Sequence, residues 1–152
     1  MLSIIQLFKS KENIILKELS SSDINQFLIK YEDGNDSTPA NLIKSHQLKP
    51  NQIKGYGIFH NNDIKGGIIY AENPKMYTRG LKVDCKILFF YIDPEFRGLG
   101  FGKKMISNIV KKYKTVFLTT DSQSSDTAKK IYTNMGFKMI DKSNDHEYYL
   151  KG

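Results

Sequence analysis

The 152-residue chain predicts an α+β fold over a single domain, residues 1–152: a mixed, mostly antiparallel central sheet with helices on both faces. Three observations carry that expectation. Apolar runs of strand length and stretches of helical spacing follow in the order strand, helix, helix, three strands, helix, strand, helix, two strands. The run Val83 to Ile92 is apolar on both alternating faces, which suits a strand in the middle of a covered sheet. With 39 % hydrophobic residues, a chain of this length can build one core.

The elements follow in order. Ile14 to Leu19 suits a strand, and Ser20-Ser21-Ser22-Asp23 offers caps for a helix whose stripe is Ile24, Phe27, Leu28 and Tyr31. Glu32 to Pro39 breaks that helix, and a second short one is expected from Ala40 to Gln47, capped by Thr38 with Pro39 at its first position. Ile53 to His60 and Ile64 to Glu72 flank the turn-forming Asn61-Asn62-Asp63, an antiparallel hairpin. After the Val83 to Ile92 strand, Met105, Ile106, Ile109, Val110 and Tyr113 share one helical face and Lys103, Lys104, Lys111 and Lys112 the other. Thr115 to Thr120 is a strand, Asp126 to Met135 a helix, and Phe137 to Ile140 with Glu147 to Leu150 a closing hairpin turned at Ser143-Asn144.

Composition narrows the function classes. No apolar run approaches the roughly 18 to 20 residues needed to cross a bilayer, and the N-terminal apolar stretch lacks a basic leader, so a soluble, cytoplasmic protein with no membrane partner is expected. One cysteine excludes an internal disulfide, and three scattered histidines offer no metal-ligand spacing, so no metal is expected. Cys85 falls in an apolar strand and reads as a packing residue. The net charge of +7 is uneven: residues 1–76 carry nine lysines and eight acids, residues 77–152 fourteen basic residues and eight acids. Such an excess could serve nucleic acid or a phosphorylated cofactor. The lysines are spread over helices without clustered arginine or interleaved aromatics, so nucleic acid is disfavoured.

The chemistry concentrates at Arg97-Gly98-Leu99-Gly100-Phe101-Gly102, a glycine-rich turn between an apolar strand and a helix. Glycines let an anion approach backbone N–H groups, and the first N–H groups of a helix have no internal partner. Such a junction holds phosphate, with Arg97 and Lys103 supplementing the field. A P-loop would need Gly-x-x-x-x-Gly-Lys-Ser/Thr and a dinucleotide fold Gly-x-Gly-x-x-Gly; neither spacing is met. The turn resembles the Arg/Gln-x-x-Gly-x-Gly/Ala acyl-CoA signature of the GCN5-related N-acetyltransferase (GNAT) family. Ser125 to Phe137 is similar to the family's other landmark, Asn-x-x-Ala-x-x-x-Tyr-x-x-x-Gly-Phe, with Ala128, Tyr132, Gly136 and Phe137 matching and Ser125 standing where asparagine is usual.

The resemblance implies an acetyl-CoA-dependent N-acetyltransferase in which a primary amine attacks acetyl-CoA directly. It implies that Phe90, Tyr91 and Ile92 line the pantetheine arm, with the Ile92 N–H polarising the thioester carbonyl, and that Arg97 to Lys103 hold the pyrophosphate; Ser125, shorter than the usual asparagine, either stands at the cofactor's arm or caps the helix that follows. Tyr132 would protonate the departing thiolate, a fair match for a phenol of reference pKa near 10. Family members often carry a glutamate on the fourth strand, but none stands between Cys85 and Ile92; Glu72, Asp84 and His60 are candidate bases by strand position only. Glu32, Asp33 and Asp36 could attract a cationic acceptor or form a solvated loop. Dimers are common in the family. Two alternatives stay open: a non-catalytic acyl-CoA-binding module, opposed by Tyr132, and a basic nucleic-acid-binding protein.

Overall fold

The computed structural model describes residues 13–31, 39–121 and 126–152. Along the chain run β1 (Ile14–Glu18), α1 (Ser21–Lys30), α2 (Pro39–His46), β2 (Ile53–His60), β3 (Asp63–Glu72), β4 (Cys85–Ile92), α3 (Phe101–Lys112), β5 (Val116–Asp121), α4 (Asp126–Asn134), β6 (Lys138–Lys142) and β7 (His146–Lys151). The seven strands form one sheet in the order β1-β2-β3-β4-β5-β7-β6. Among these pairings β4 with β5 is parallel and the others are antiparallel. The expected α+β fold and element order hold, with β2 at its expected bounds and the other bounds moved by at most three residues.

Local chemistry explains the boundaries. Ser20 starts α1 by a reciprocal box: the Asp23 N–H donates to Ser20 Oγ and the Ser20 N–H to Asp23 Oδ2, each at 3.1 Å. Between β2 and β3, Asn61 (φ 51°) and Asn62 (φ 67°) both take the left-handed conformation, as a two-residue hairpin turn requires, so β3 begins at Asp63. β4 starts two residues later than expected. The Asp84 N–H donates to Thr115 Oγ1 (2.8 Å) and the Thr115 N–H to Asp84 Oδ2 (3.1 Å), a clasp that precedes the ladder. Thr38, the expected cap of α2, lies outside the described residues.

Two cores sit on opposite faces of the sheet. On one, Met105, Ile106 and Ile109 of α3 and Tyr132 of α4 pack on Ile58, Ile68, Ile87 and Leu118. On the other, Ile24, Phe27 and Leu28 of α1 and Leu42 of α2 pack on Ile53, Ile69 and Ala71. Each fully buried aliphatic side chain contributes roughly 1.5–3 kcal/mol, so both helical layers are held by burial. The expectation for β4 needs one correction. It is central and covered on both faces, yet its second residue is Lys86, a lysine only 6 % exposed.

Candidate functional site

The sheet opens in its middle. β4 and β5 pair only at Cys85↔Val116, Lys86↔Phe117 and Ile87↔Leu118. Directly afterwards the β3–β4 register skips Leu88, since Tyr70 pairs with Ile87 and Ile69 with Phe89. This bulge puts Leu88 and Phe89 on the α1 side, while Phe90 and Ile92 return to the α3 side. A bulge sharpens the local twist of its strand. Leu88–Ile92 therefore run on beside β3 alone, and a cleft of about 850 Å³ lies between the parted strands.

The cleft carries backbone groups that an extended ligand could pair with. The Asp93 N–H donates to the Lys65 carbonyl (2.9 Å), and the register pairs Ile92 with Gly66, Tyr91 with Gly67 and Phe90 with Ile68. Bonded and non-bonded pairs alternate in an antiparallel ladder. Tyr91 thus turns its N–H and C=O toward β3, and Phe90 and Ile92 turn theirs into the gap. The Ile92 carbonyl accordingly accepts Arg97 Nε–H from that side at 2.8 Å. Arg97, whose guanidinium lies 5.3 Å from the Tyr91 ring centre, is thereby tied to the strand end rather than extended as a loose counter-charge.

Beyond Arg97, Gly98 (φ 75°) and Gly100 (φ 87°) are left-handed, a conformation that costs a residue with a Cβ roughly 1 kcal/mol or more. Leu99 is half exposed between them. Gly100 caps α3 without a side-chain bond, and the Lys104 N–H donates back to its carbonyl (3.1 Å). The N–H groups of Phe101, Gly102 and Lys103 precede that first helical bond, so they point out of the helix end, where the dipole is positive. No acid stands in the first turn. Phe101 packs toward the core, Lys103 is exposed, and Gly102 is buried against β4: a Cβ there would stand 3.0 Å from Phe90 Cζ.

Tyr132 lines the same cleft from α4, with Ala128 and Ile131 beside it. Its ring is 8 % exposed, 6.2 Å from Phe137 and 6.1 Å from Tyr149. The helix stops just past it in a Schellman arrangement: the Phe137 N–H donates to the Tyr132 carbonyl and the Gly136 N–H to that of Thr133, both at 3.0 Å, with Gly136 left-handed. The Gly-Phe pair of the second landmark therefore fixes where Tyr132 sits. Burial pushes its phenol up to about 12. Ser125 and the acidic group Glu32, Asp33 and Asp36 lie outside the described residues.

The three candidate bases lie elsewhere. Glu72 faces Cys85 across the ladder at the closed end of the sheet, accepts the Tyr113 hydroxyl at 2.6 Å and pairs with Lys54 at 3.1 Å. Asp84 is held in the Thr115 clasp. His60 packs its ring 5.6 Å from Phe96. No carboxylate or imidazole among the described residues lines the cleft. Cys85 is fully buried at the closed end, where burial first and the charges of Glu72 and Asp84 second push its thiol up, consistent with packing.

A second cavity of about 1640 Å³ opens on the other face, between α2, the connection from β3 to β4, and strands β5 and β7. Thr119, one residue past the last paired position of β5, lines both cavities. Lys86 reaches into the second one, donating to the Tyr77 carbonyl at 3.0 Å with its Nζ 3.3 Å from His46 Nε2. Burial lowers Lys86 to about 8, and burial and the Lys86 charge lower His46 to about 4, so the imidazole is neutral and accepts from the ammonium. The sequence reading passed over these residues. The signal was a lone lysine inside an otherwise apolar strand.

Residues 42–149 match the family described as acetyltransferase (GNAT) domain. No curated protein matches the chain in sequence. Among solved structures, a protein from Pyrococcus horikoshii OT3 superposes with a TM-score of 0.66 at 19 % identity, over 91 % of this chain and 98 % of its own. A GNAT family acetyltransferase from Elizabethkingia anophelis with acetyl-CoA bound gives 0.62 at 16 %, over 93 % and 99 %. The PaiA N-acetyltransferase from Thermoplasma acidophilum in complex with coenzyme A gives 0.61 at 18 %, over 91 % and 98 %. At such identities the likeness is one of fold. Among the described residues no helix is long and apolar enough to cross a membrane, and no group of three or more His, Cys, Asp or Glu could hold a metal.

Proposed function

The chain belongs to the GNAT acetyltransferase family, and from that premise we propose that it moves an acetyl group from acetyl-CoA to a primary amine within a ternary complex. The carrying observation is the parted β4–β5 junction: inward-facing amides of Phe90 and Ile92 run straight into a left-handed glycine turn and the uncapped start of α3. This arrangement fits the donor. Its amide-rich arm can pair with Phe90 and Ile92 as an added strand, and its diphosphate can meet the N–H groups from Gly98 to Lys103. Gly102 lets α3 lie directly on Phe90, which brings helix start and strand end together.

When bound, the donor supplies a thioester whose C–S bond breaks as the amine's C–N bond forms. The residues do the rest. An N–H facing the gap, Ile92 in the family-based assignment, donates to the carbonyl oxygen as charge develops there. Tyr132 donates its hydroxyl proton toward the departing sulfur. With its pKa pushed up to about 12 by burial, the phenol stays protonated through the physiological range. It is also a weaker acid than its reference value, so its main contribution is a hydrogen bond that strengthens as the sulfur becomes anionic. The amine's proton leaves through water, since no carboxylate among the described residues lines the cleft.

Calorimetry with coenzyme A and with acetyl-CoA, followed by an amine-panel assay with mass detection of products, tests the proposal. Saturable donor binding and a product heavier by one acetyl group are expected. Binding without thiol release across the panel would leave an acyl-CoA-binding module, and no binding by folded protein would end the assignment.

A further inference from the structure

The second cavity holds a charge that no described side chain neutralises. Lys86 is 6 % exposed, and among the described residues no carboxylate forms an ion pair with it. Its two polar contacts, the Tyr77 carbonyl and the His46 ring, are neutral. A buried ammonium without a counter-charge is costly, and a packing role at this position would be served better by methionine or leucine. Lys44, Lys75 and Lys82 line the same cavity, among the described side chains no Asp or Glu does, and Arg79 there is spent on Asp141 at 2.9 Å. The cavity thus presents net positive charge with its most buried cation on the wall. Thr119 borders both this cavity and the cleft between β4 and β5.

Resting on the acetyltransferase reading, we propose that this cavity takes the acceptor, and that the acceptor is a small amine bearing a carboxylate or phosphate whose anion sits against Lys86 while its amine points past Thr119 to the parted strands. Position supports the arrangement. Two strand steps, roughly 7 Å, separate Lys86 from Leu88, where β4 leaves β5, so anion and amine stand several bonds apart. The same positive lining disfavours polyamines and lysine-rich tails, which would bring like charge into a partly desolvated site.

The test uses matched amines on the full chain at saturating acetyl-CoA: 4-aminobutyrate against 4-aminobutanamide, 2-aminoethyl phosphate against 2-aminoethanol, and spermidine as the cationic control. At least one anionic member should exceed its neutral partner by about tenfold or more in kcat/KM. Lys86→Met should abolish that preference through the acceptor KM while leaving the KM for acetyl-CoA unchanged, and Lys86→Arg should restore part of it. Preference for the neutral members or spermidine, or an unchanged preference in a folded Lys86→Met protein, would overturn the proposal.

A binding measurement separates this failure from failure of the acetyltransferase reading. With coenzyme A present in excess, lysine Cε resonances are followed by NMR, the Lys86 signal being identified by its loss in Lys86→Arg. Adding 4-aminobutyrate or 2-aminoethyl phosphate should shift that signal and raise its titration midpoint. No shift with either would overturn the anion site even where turnover is normal. A shift without turnover of any amine would uphold the anion site and reject the acetyltransferase reading.

Discussion

Tyr132→Phe removes one oxygen from the cleft and nothing from its shape. The ring is buried beside Phe137 and Tyr149, and its substitute keeps those contacts, so folding is expected to be unaffected within about 0.5–1.5 kcal/mol, the net worth of one hydroxyl hydrogen bond. On the proposed role the catalytic cost is larger, because the hydroxyl would face a sulfur that becomes anionic only as the C–S bond breaks. A hydrogen bond to a charged group contributes roughly 1.5–3 kcal/mol, which converts to about a ten- to hundredfold fall in kcat. Binding of coenzyme A should barely change, since the turn from Gly98 to Lys103 and the Phe90 and Ile92 amides are untouched.

The assay is thiol release at saturating donor with the best amine of the panel, beside calorimetric affinity for coenzyme A in both proteins. Its pH profile adds a second check. A neutral acid raised to about 12 keeps its proton throughout pH 6–10, so wild-type kcat should show no falling limb from Tyr132 in that range. The ratio of wild type to variant should therefore stay flat across it. An unchanged kcat in folded Tyr132→Phe would refute the proton-donor role, and a loss confined to coenzyme A affinity would make the residue a wall of the cleft.

Three further outcomes follow from the same geometry. Gly102→Val places branched carbon where even a Cβ lies 3.0 Å from Phe90 Cζ; pushing α3 off β4 should weaken coenzyme A binding at least tenfold in calorimetry, roughly 1.4 kcal/mol or more, and lower the melting temperature as well. A Cβ at Gly100 meets no atom within 4 Å, but Gly100→Val forces a β-branched residue to φ 87°, so donor affinity should fall through strain in the turn, with a smaller effect on melting than Gly102→Val. Lys86→Met should change how stability depends on pH. Its folded pKa, about 8, lies below the unfolded value of 10.5, so the unfolded chain binds the extra proton between those limits and the charge's cost fades as pH rises through them. That cost is roughly 3 kcal/mol, and wild type should gain on the variant by about 6–12 °C in melting temperature between pH 7 and 10.5; parallel curves would contradict a charged, buried Lys86.

Much of the fold was legible because its signals are local and redundant. The Ser20–Asp23 box, the paired asparagines at 61 and 62, and Gly136 after Tyr132 each fix a boundary through backbone chemistry that residue type alone announces. The segments that meet at the cleft between β4 and β5 were legible for the same reason, as both landmarks are continuous stretches of sequence. The position of the bulge, at Leu88, was not, because apolar residues on both faces of β4 hide a reversal in alternation. Nor was the second cavity, whose wall draws on α2, the β3–β4 connection, β5 and β7. Lys86 could be seen in the sequence, but its importance depends on Phe117, Tyr77 and His46 closing over it, contacts between residues up to 40 positions apart.

The two cavities together bear on how an acceptor amine could lose its proton without a carboxylate base. An amine that carries its own anion has a raised pKa, because the negative charge holds the ammonium. Pairing the anion with Lys86 cancels that pull, and each further cation about 10 Å from the amine disfavours its protonated form by roughly 1.7 kcal/mol at an effective dielectric of 20, a little over one pKa unit. The lysines lining the cavity would then raise the fraction of neutral amine that meets the thioester, with water as the final proton acceptor. The site would do by electrostatics what a glutamate does by proton transfer, and activity toward the anionic amine should fall as salt screens the exposed lysines. A rate indifferent to ionic strength would point instead to a carboxylate base among Glu32, Asp33 and Asp36.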